Sequence, residues 1–148
     1  MSREVDEWCS RIKSVEREHS AARLAFDQLL ADPQKTAHAL EVDVKVRDIS
    51  HASDLLEGTY IIRLFAEFET GLRRYWETFR DTNPTMRDLV DGVASKRRIQ
   101  DELIEGVHRV RKYRNILIHE REDDVQPISM ASARSDLCQF FSHLPPVW

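Results

Sequence analysis

The sequence predicts an all-α fold, a single-domain helical bundle of about five helices spanning residues 1–148. Apolar residues recur three and four positions apart over long stretches, which is the period of an amphipathic helix. The 148 residues include four Gly and five Pro, and 32% are charged, a composition more typical of helical proteins than of turn-rich β folds. This length is sufficient for one domain with its own hydrophobic core.

Residues 3–31 are predicted to form the first of two long helices. One stripe of this helix is mainly apolar, and the dipeptide Asp32-Pro33 ends it. Because His19 lies within the stripe, we expect a histidine packed into the core or a groove rather than a ligand. The stripe comprises Val5, Trp8, Cys9, Ile12, Val15, His19, Ala22, Phe26, Leu29 and Leu30.

Residues 40–47 alternate apolar and charged side chains, which is the period of a β-strand. The sequence holds no second segment of this kind to pair with it, and an isolated strand is not stable in water. We therefore predict an extended connector. A helical conformation, or an edge that pairs with its copy in a dimer, remains an alternative.

The second long helix is predicted from about Asp48 to Arg80, and its wide apolar face favours a central position in the bundle. Glu69 lies at one edge of that face among apolar neighbours, whereas Glu67 lies at the other edge, where we expect a solvated carboxylate. Glu69 is therefore expected to meet a cation from another helix. The face comprises Leu55, Leu56, Tyr60, Ile61, Leu64, Phe65, Phe68, Leu72, Tyr75, Trp76 and Phe79.

A short helix is predicted next. Asn83 suits its N-cap and Pro84 its first position. The helix leads into the basic run Lys96–Arg98, the densest in a region from Arg87 to Arg114 where basic residues outnumber acidic ones.

Two more helices complete the prediction. Asp101 is predicted to cap a helix that continues to about Glu120, followed by a loop at residues 121–127. Ser129 is predicted to cap the last helix, which Pro145-Pro146 ends.

The predicted helix from Asp101 carries the candidate site. Arg114 falls in the middle of the apolar face of this helix. Burying its charge there costs free energy unless a carboxylate or phosphate pairs with the guanidinium. Asn115 and His119 lie along one flank with Arg111 and His108. Glu69 is the best-placed carboxylate to pair with Arg114.

These residues resemble the signature of the HEPN superfamily, a group of small all-helical domains. Its members carry an Arg, usually followed by a polar residue, and then a His after four to six intervening positions. Here Arg114-Asn115 is followed by three apolar residues and His119. The stretch 60–73, Tyr-Ile-Ile-Arg-Leu-Phe-Ala-Glu-Phe-Glu-Thr-Gly-Leu-Arg, also looks like the HEPN helix that precedes the motif. The resemblance covers roughly residues 50–143.

The resemblance implies a metal-independent endoribonuclease, acting as a toxin or defence effector. Arg114 and His119 would be catalytic, Asn115 would orient them, and Glu69 would support Arg114. HEPN relatives are typically dimers that pair two motifs across a shared cleft, so a homodimer is expected. A partner such as a nucleotidyltransferase-like antitoxin would restrain it. No cofactor is expected.

The residue types suit this chemistry. A histidine near neutral pH can take the proton of a ribose 2′-OH, and an arginine fork can stabilise the charge that builds on the phosphate. The products would carry 2′,3′-cyclic phosphate and 5′-hydroxyl ends. Positions five apart on a helix are separated by about 140°, so Arg114 and His119 can meet only through the length of the arginine side chain, a distorted helix end or a second subunit.

On the basis of charge alone, five further residues are candidates to contact the RNA backbone. We expect Arg111, Lys112 and the run Lys96, Arg97 and Arg98 to bind phosphates. Tyr113 could stack on a base, although a core position is the stronger expectation. The alternative function is a non-catalytic HEPN-like interaction module that binds a partner protein or a nucleotide.

Other classes are disfavoured. The net charge of −4 argues against a general nucleic-acid coat protein, and the six histidines form no metal-binding spacing. Cys9 and Cys138 form no CxxC unit, so we expect buried thiols. The sequence has no Gly-rich phosphate loop, no nucleophile elbow and no stretch of ~20 apolar residues. With no signal-peptide pattern at the N-terminus, a cytoplasmic location is expected.

Overall fold

A computed structural model describes residues 3–41, 43–119 and 126–148. The described residues form six helices and no strand, so the predicted all-α class is confirmed. The helices are α1 (Glu4–Ala31), α2 (Pro33–Glu41), α3 (Val46–Glu77), α4 (Met86–Arg97), α5 (Asp101–His119) and α6 (Met130–Phe141).

Helix α3 lies at the centre of the bundle, as predicted, and packs against α1, α4, α5 and α6. Phe68 on α3 contacts the rings of Phe140 and Phe141 on α6 edge to face. At Gly71 a Cβ atom would lie 2.7 Å from Trp8 and 2.8 Å from Phe141. The absence of a side chain at Gly71 therefore permits α1 and α6 to approach α3 closely.

The segment predicted as an extended connector, residues 40–47, is helical at both ends and non-helical at residues 43–45. Helix α2 continues to Glu41, α3 begins at Val46, and the extended backbone is confined to the residues just before α3. Asp43 adopts a positive φ of 61° at this turn. The strand-like alternation was misleading because it falls across the end of one helix and the start of the next. Residue 42 lies outside the described residues.

The fourth helix begins two residues later than predicted. Thr85 is its N-cap, and its hydroxyl accepts a hydrogen bond from the Asp88 backbone N–H at 3.3 Å. Asn83 instead accepts a hydrogen bond from Arg73. Two residues of this region could cap a helix, and the tertiary contact with Arg73 decides between them.

A tight turn places α5 beside α4. Arg98 adopts a left-handed conformation with φ 54°, and the Ile99 N–H donates to the Ala94 carbonyl at 2.9 Å. Buried Ile99 anchors this turn, which has the hydrogen bonding of a Schellman motif. Helices α4 and α5 therefore form an antiparallel hairpin that holds the candidate site.

The C-terminal helix begins at the predicted residue and ends four positions before Pro145. The Ser129 hydroxyl accepts a hydrogen bond from the Ser132 N–H, as expected of the N-cap, and α6 ends at Phe141, before Pro145-Pro146. The Glu4 N–H donates to the Pro146 carbonyl at 2.9 Å, which joins the C-terminal segment to the start of α1.

The two cysteines meet where α1 packs on α6. Each thiol lies about 4 Å from the backbone carbonyl of the other residue, and both side chains are half-buried rather than fully buried. Hydrogen bonding between the thiols and burial raise the pKa of Cys9, whereas the same hydrogen bond lowers the pKa of Cys138. Because the two cysteines are 129 residues apart, their contact could not be predicted from the sequence.

None of the helices in the described part of the chain has the length and apolarity needed to cross a membrane.

Candidate functional site

Arg114 lies at the junction of α5 and the central helix α3. Its guanidinium stacks over the Phe65 ring at 4.6 Å, and one terminal nitrogen is 4.0 Å from Oε2 of Glu69. The side chain is 19% exposed, and its Nε atom is buried with no hydrogen-bond partner among the described residues. The predicted Glu69–Arg114 contact is present, but 4.0 Å is too long for a hydrogen bond.

Glu69 is held mainly by another arginine. Arg73 donates from Nε to Oε1 of Glu69 at 3.0 Å, and its second terminal nitrogen lies 2.9 Å from the same oxygen. Arg73 also donates to Asn83 at 2.9 Å and to the Pro84 carbonyl at 3.0 Å. Glu69 is thus fixed in place, and Arg114 keeps unused donor capacity beside it.

His119 is not adjacent to Arg114 within the chain. It is the last residue of α5, its side chain is exposed, and it makes no hydrogen bond to the described residues. Five positions on a helix leave about 140° between the two side chains. The half-buried side chain of Asn115 likewise makes no hydrogen bond to the described residues. The motif residues occupy one helix without converging on one point.

Helices α4 and α5 enclose a charged cleft on the flank of the motif helix. We call it the α4–α5 cleft; its volume is about 490 Å³, and it is lined by Arg87, Asp91, Glu105, His108, Arg109, Arg111 and Lys112. Arg111 and Lys112 are two of the predicted phosphate contacts. The structure brings them together with Arg87 and Asp91, which the sequence analysis did not single out.

A hydrogen-bonded chain orders this cleft. The His108 Nε2–H donates to Oδ1 of Asp91 at 2.7 Å, and the Arg111 Nε–H donates to Nδ1 of His108 at 3.1 Å. Burial lowers the pKa of Arg111, and the nearby charges of Arg87 and Arg114 lower it further, against the opposing effect of Asp91.

A sequence signal for this cleft exists. Arg87 and Asp91 are four residues apart on the outward face of α4, and His108 and Arg111 are three apart on the flank of α5. Neither pair alone indicates a site. The two pairs become neighbours through the register of the α4–α5 hairpin, which could not be determined from the sequence.

The basic run lies elsewhere. Lys96 stacks on the Phe79 ring at 4.2 Å, Arg97 donates to the His143 carbonyl at 3.0 Å, and Arg98 forms the left-handed turn. This turn is at the start of α5, and helix rise places it about 20 Å along the axis from Arg114. The run therefore does not extend the α4–α5 cleft around Arg111.

A second, more apolar groove runs between α3 and α5 on the side of Tyr113. We call it the α3–α5 groove; its volume is about 570 Å³, and it is lined by Asp54, Leu55, Glu57, Gly58, Thr59, Ile62, Tyr113, Ile116 and Leu117. Burial and the charge of Glu57 raise the pKa of half-buried Tyr113. Ile118, an apolar residue near the end of α5, is 45% exposed.

His19 is half-buried, as expected for a packed histidine. Its ring meets the Tyr60 ring edge to face at 5.6 Å. Within the described residues, no group of three or more His, Cys, Asp or Glu side chains is arranged to hold a metal ion.

Comparisons with protein-family models, with curated proteins and with solved structures find no match to this chain. The resemblance to the HEPN superfamily therefore rests on the residues of the motif and of the helix that precedes it, and it stays a prediction.

Proposed function

We propose that this protein is a metal-independent endoribonuclease of HEPN type, acting as a toxin or defence effector. The observation that carries the proposal is the environment of Arg114. A guanidinium that is 19% exposed faces a carboxylate only at 4.0 Å, which leaves it able to hold a phosphate.

In this mechanism His119 takes the proton from a ribose 2′-OH, and the resulting oxygen attacks the adjacent phosphorus. Arg114 stabilises the charge on the phosphoryl oxygens, and Asn115 orients the reacting groups. The P–O5′ bond breaks and the leaving 5′-oxygen takes up a proton from water, so one product ends in a 2′,3′-cyclic phosphate and the other in a 5′-hydroxyl. DNA lacks the attacking 2′-OH and is not cut.

The active form in this proposal is a homodimer. Arg114 and His119 diverge by about 140° on their helix, so a facing copy of α5 supplies the missing group on each side. Exposed Ile118, between the two motif residues, offers apolar surface for that contact. A nucleotidyltransferase-like antitoxin is the expected kind of restraining partner.

The alternative function is a non-catalytic module that binds a partner protein or a nucleotide. The α3–α5 groove favours it, because this groove combines apolar side chains with the carboxylates of Asp54 and Glu57. The same fold would then serve recognition, and His119 would have no chemical role.

The first test is incubation of purified protein with labelled tRNA and mRNA in EDTA, beside Arg114→Gln and His119→Ala. We expect wild-type cleavage with cyclic-phosphate ends and a loss of at least about 100-fold in each variant. His51→Ala is the matched control, because His51 is an exposed histidine of α3 outside the motif. Cleavage that survives in His119→Ala would contradict the catalytic role of His119. A folded wild type that cuts no RNA would contradict the proposal and favour the binding module.

A further inference from the structure

A second group of cations lies beside Arg114, in the α4–α5 cleft. The two helices contribute four cationic side chains, Arg87, Arg109, Arg111 and Lys112, against the two carboxylates of Asp91 and Glu105. The cleft is therefore positively charged in a protein whose net charge is −4. A local surplus of this kind attracts anions even when the whole molecule does not.

Arg111 is oriented within this cleft. Its Nε–H is used by His108, whose other nitrogen donates to Asp91. The two terminal nitrogens of Arg111 make no hydrogen bond to the described residues. Asp91 thus acts through His108 to fix the guanidinium, and its charge does not pair directly with Arg111.

Like charges gather around this arginine. Arg87 of α4 and Arg114 of α5 both lie close enough to Arg111 to disfavour its charged form. Placing further guanidinium groups around the half-buried Arg111 is costly unless an anion lies between them. Planar arginine forks match the oxygens of a phosphate better than lysine does.

We propose that the α4–α5 cleft binds a phosphodiester of the RNA strand, next to the phosphate held by Arg114, with Arg87 and Arg111 as its ligands. His108 and Asp91 are positioning residues for Arg111. The assignment of the ligand to RNA rests on the proposed function. The cleft is lined by polar and charged side chains and has no Phe, Tyr or Trp ring on which the base of a free nucleotide would stack. A strand backbone suits it better.

The test measures binding rather than cleavage. A fluorescent 2′-O-methyl RNA of about 12 nucleotides cannot be cut and reports affinity by anisotropy. We expect Arg87→Gln and Arg111→Gln each to weaken binding about 5- to 10-fold and to reduce the slope of log K against log salt by about one. His108→Ala should weaken binding in the same direction and add little to Arg111→Gln, as a positioning residue would.

Arg17→Gln is the matched control, because it removes the same charge from an exposed position on α1. The Arg87 side chain is also exposed and makes no hydrogen bond to the described residues, so Arg87→Gln should fold normally even if Arg111→Gln does not. Binding by Arg87→Gln that equals wild type would overturn the proposal. Competition by inorganic phosphate or ATP as strong as that of the unlabelled strand would overturn the assignment to a strand.

The two proposals can fail separately. If wild type cleaves RNA while Arg87→Gln and Arg111→Gln bind the uncut strand normally, the ribonuclease stands and the second phosphate site is wrong. If no RNA is cleaved but both variants lose affinity for the strand, the phosphate site stands and the catalytic proposal is wrong.

Discussion

Arg114 shares its counter-charge with a second arginine, and this sharing determines how firmly it is held. Glu69 contacts Arg73 at 2.9 Å and Arg114 at 4.0 Å. Because charge-assisted hydrogen bonds weaken steeply with distance, most of the Glu69 interaction energy belongs to Arg73. Arg114 therefore depends on packing over Phe65 as much as on its carboxylate.

Double-mutant cycles can measure this division. From Glu69→Gln, Arg73→Gln and Arg114→Gln we expect a coupling of about 0.5–1 kcal/mol for Glu69–Arg73 and less than about 0.5 kcal/mol for Glu69–Arg114, since all three side chains are partly solvated. Urea unfolding followed by circular dichroism provides the free energies. Glu67→Gln, on the same helix, is the control and should change stability by less than about 0.5 kcal/mol. A larger coupling energy for Glu69–Arg114 than for Glu69–Arg73 would contradict the argument that Glu69 interacts mainly with Arg73.

Arg114 and Glu69 could be identified from the sequence because each is a charged residue among apolar residues of its own helix. That local anomaly is visible without a structure. Arg87 and Asp91 show no such anomaly, since both occupy the outward face of α4. They become part of the α4–α5 cleft because the turn at Arg98 places them opposite His108 and Arg111.

At the scale of the helices, α1 and α6 pack closely against α3 at Gly71. Trp8 and Phe141 occupy the space that a side chain at position 71 would need. Gly58, on the same helix, faces the flexible end of Leu117 at 3.1 Å instead. The two glycines therefore have opposite roles, although both lie in the interior of α3.

Replacing each glycine by alanine should separate these roles. Gly71→Ala should destabilise the protein by about 1–3 kcal/mol, because two aromatic rings must move. Gly58→Ala should be neutral or stabilising by up to about 1 kcal/mol, because alanine favours the helix and Leu117 can turn away. Thermal or urea unfolding of both variants checks the pair. Equal destabilisation by the two substitutions would contradict the packing argument.

The boundaries of the long helices α1 and α3 were predicted to within a few residues, because wide apolar stripes specify them. Helix α2 was missed. It has nine residues, and the alternation of charge near its end imitates a strand. Short helices are specified largely by neighbouring contacts, and α2 packs against α1. Such contacts are not readable from a local pattern.

For the molecule as a whole, the candidate catalytic groups of one chain do not converge. A two-fold dimer would form two sites, each with Arg114 from one subunit and His119 from the other. In that arrangement a chain lacking one group can still donate the other. A site shared between two subunits therefore predicts that two inactive variants restore activity to each other, whereas an active site within one chain does not.

Mixing Arg114→Gln with His119→Ala should restore activity that neither variant has alone. Random exchange makes half of the dimers mixed, and each mixed dimer has one intact site, so about a quarter of wild-type activity is expected. The measurement is RNA cleavage after unfolding and refolding the two chains together. Each variant refolded with itself is the control. An inactive mixture that contains mixed dimers would show that Arg114 and His119 do not act across subunits.

The packing of α1 against α6 also bears on how the protein is made. Cys9 and Cys138 meet across a separation of 129 residues, and Trp8 and Phe141 pack together against Gly71. A ribosome adding about 5–20 residues per second needs roughly 6–26 s to travel that far. During this time the apolar stripe of α1 cannot be covered by α6. The nascent chain thus exposes part of its future core to chaperones until synthesis reaches α6.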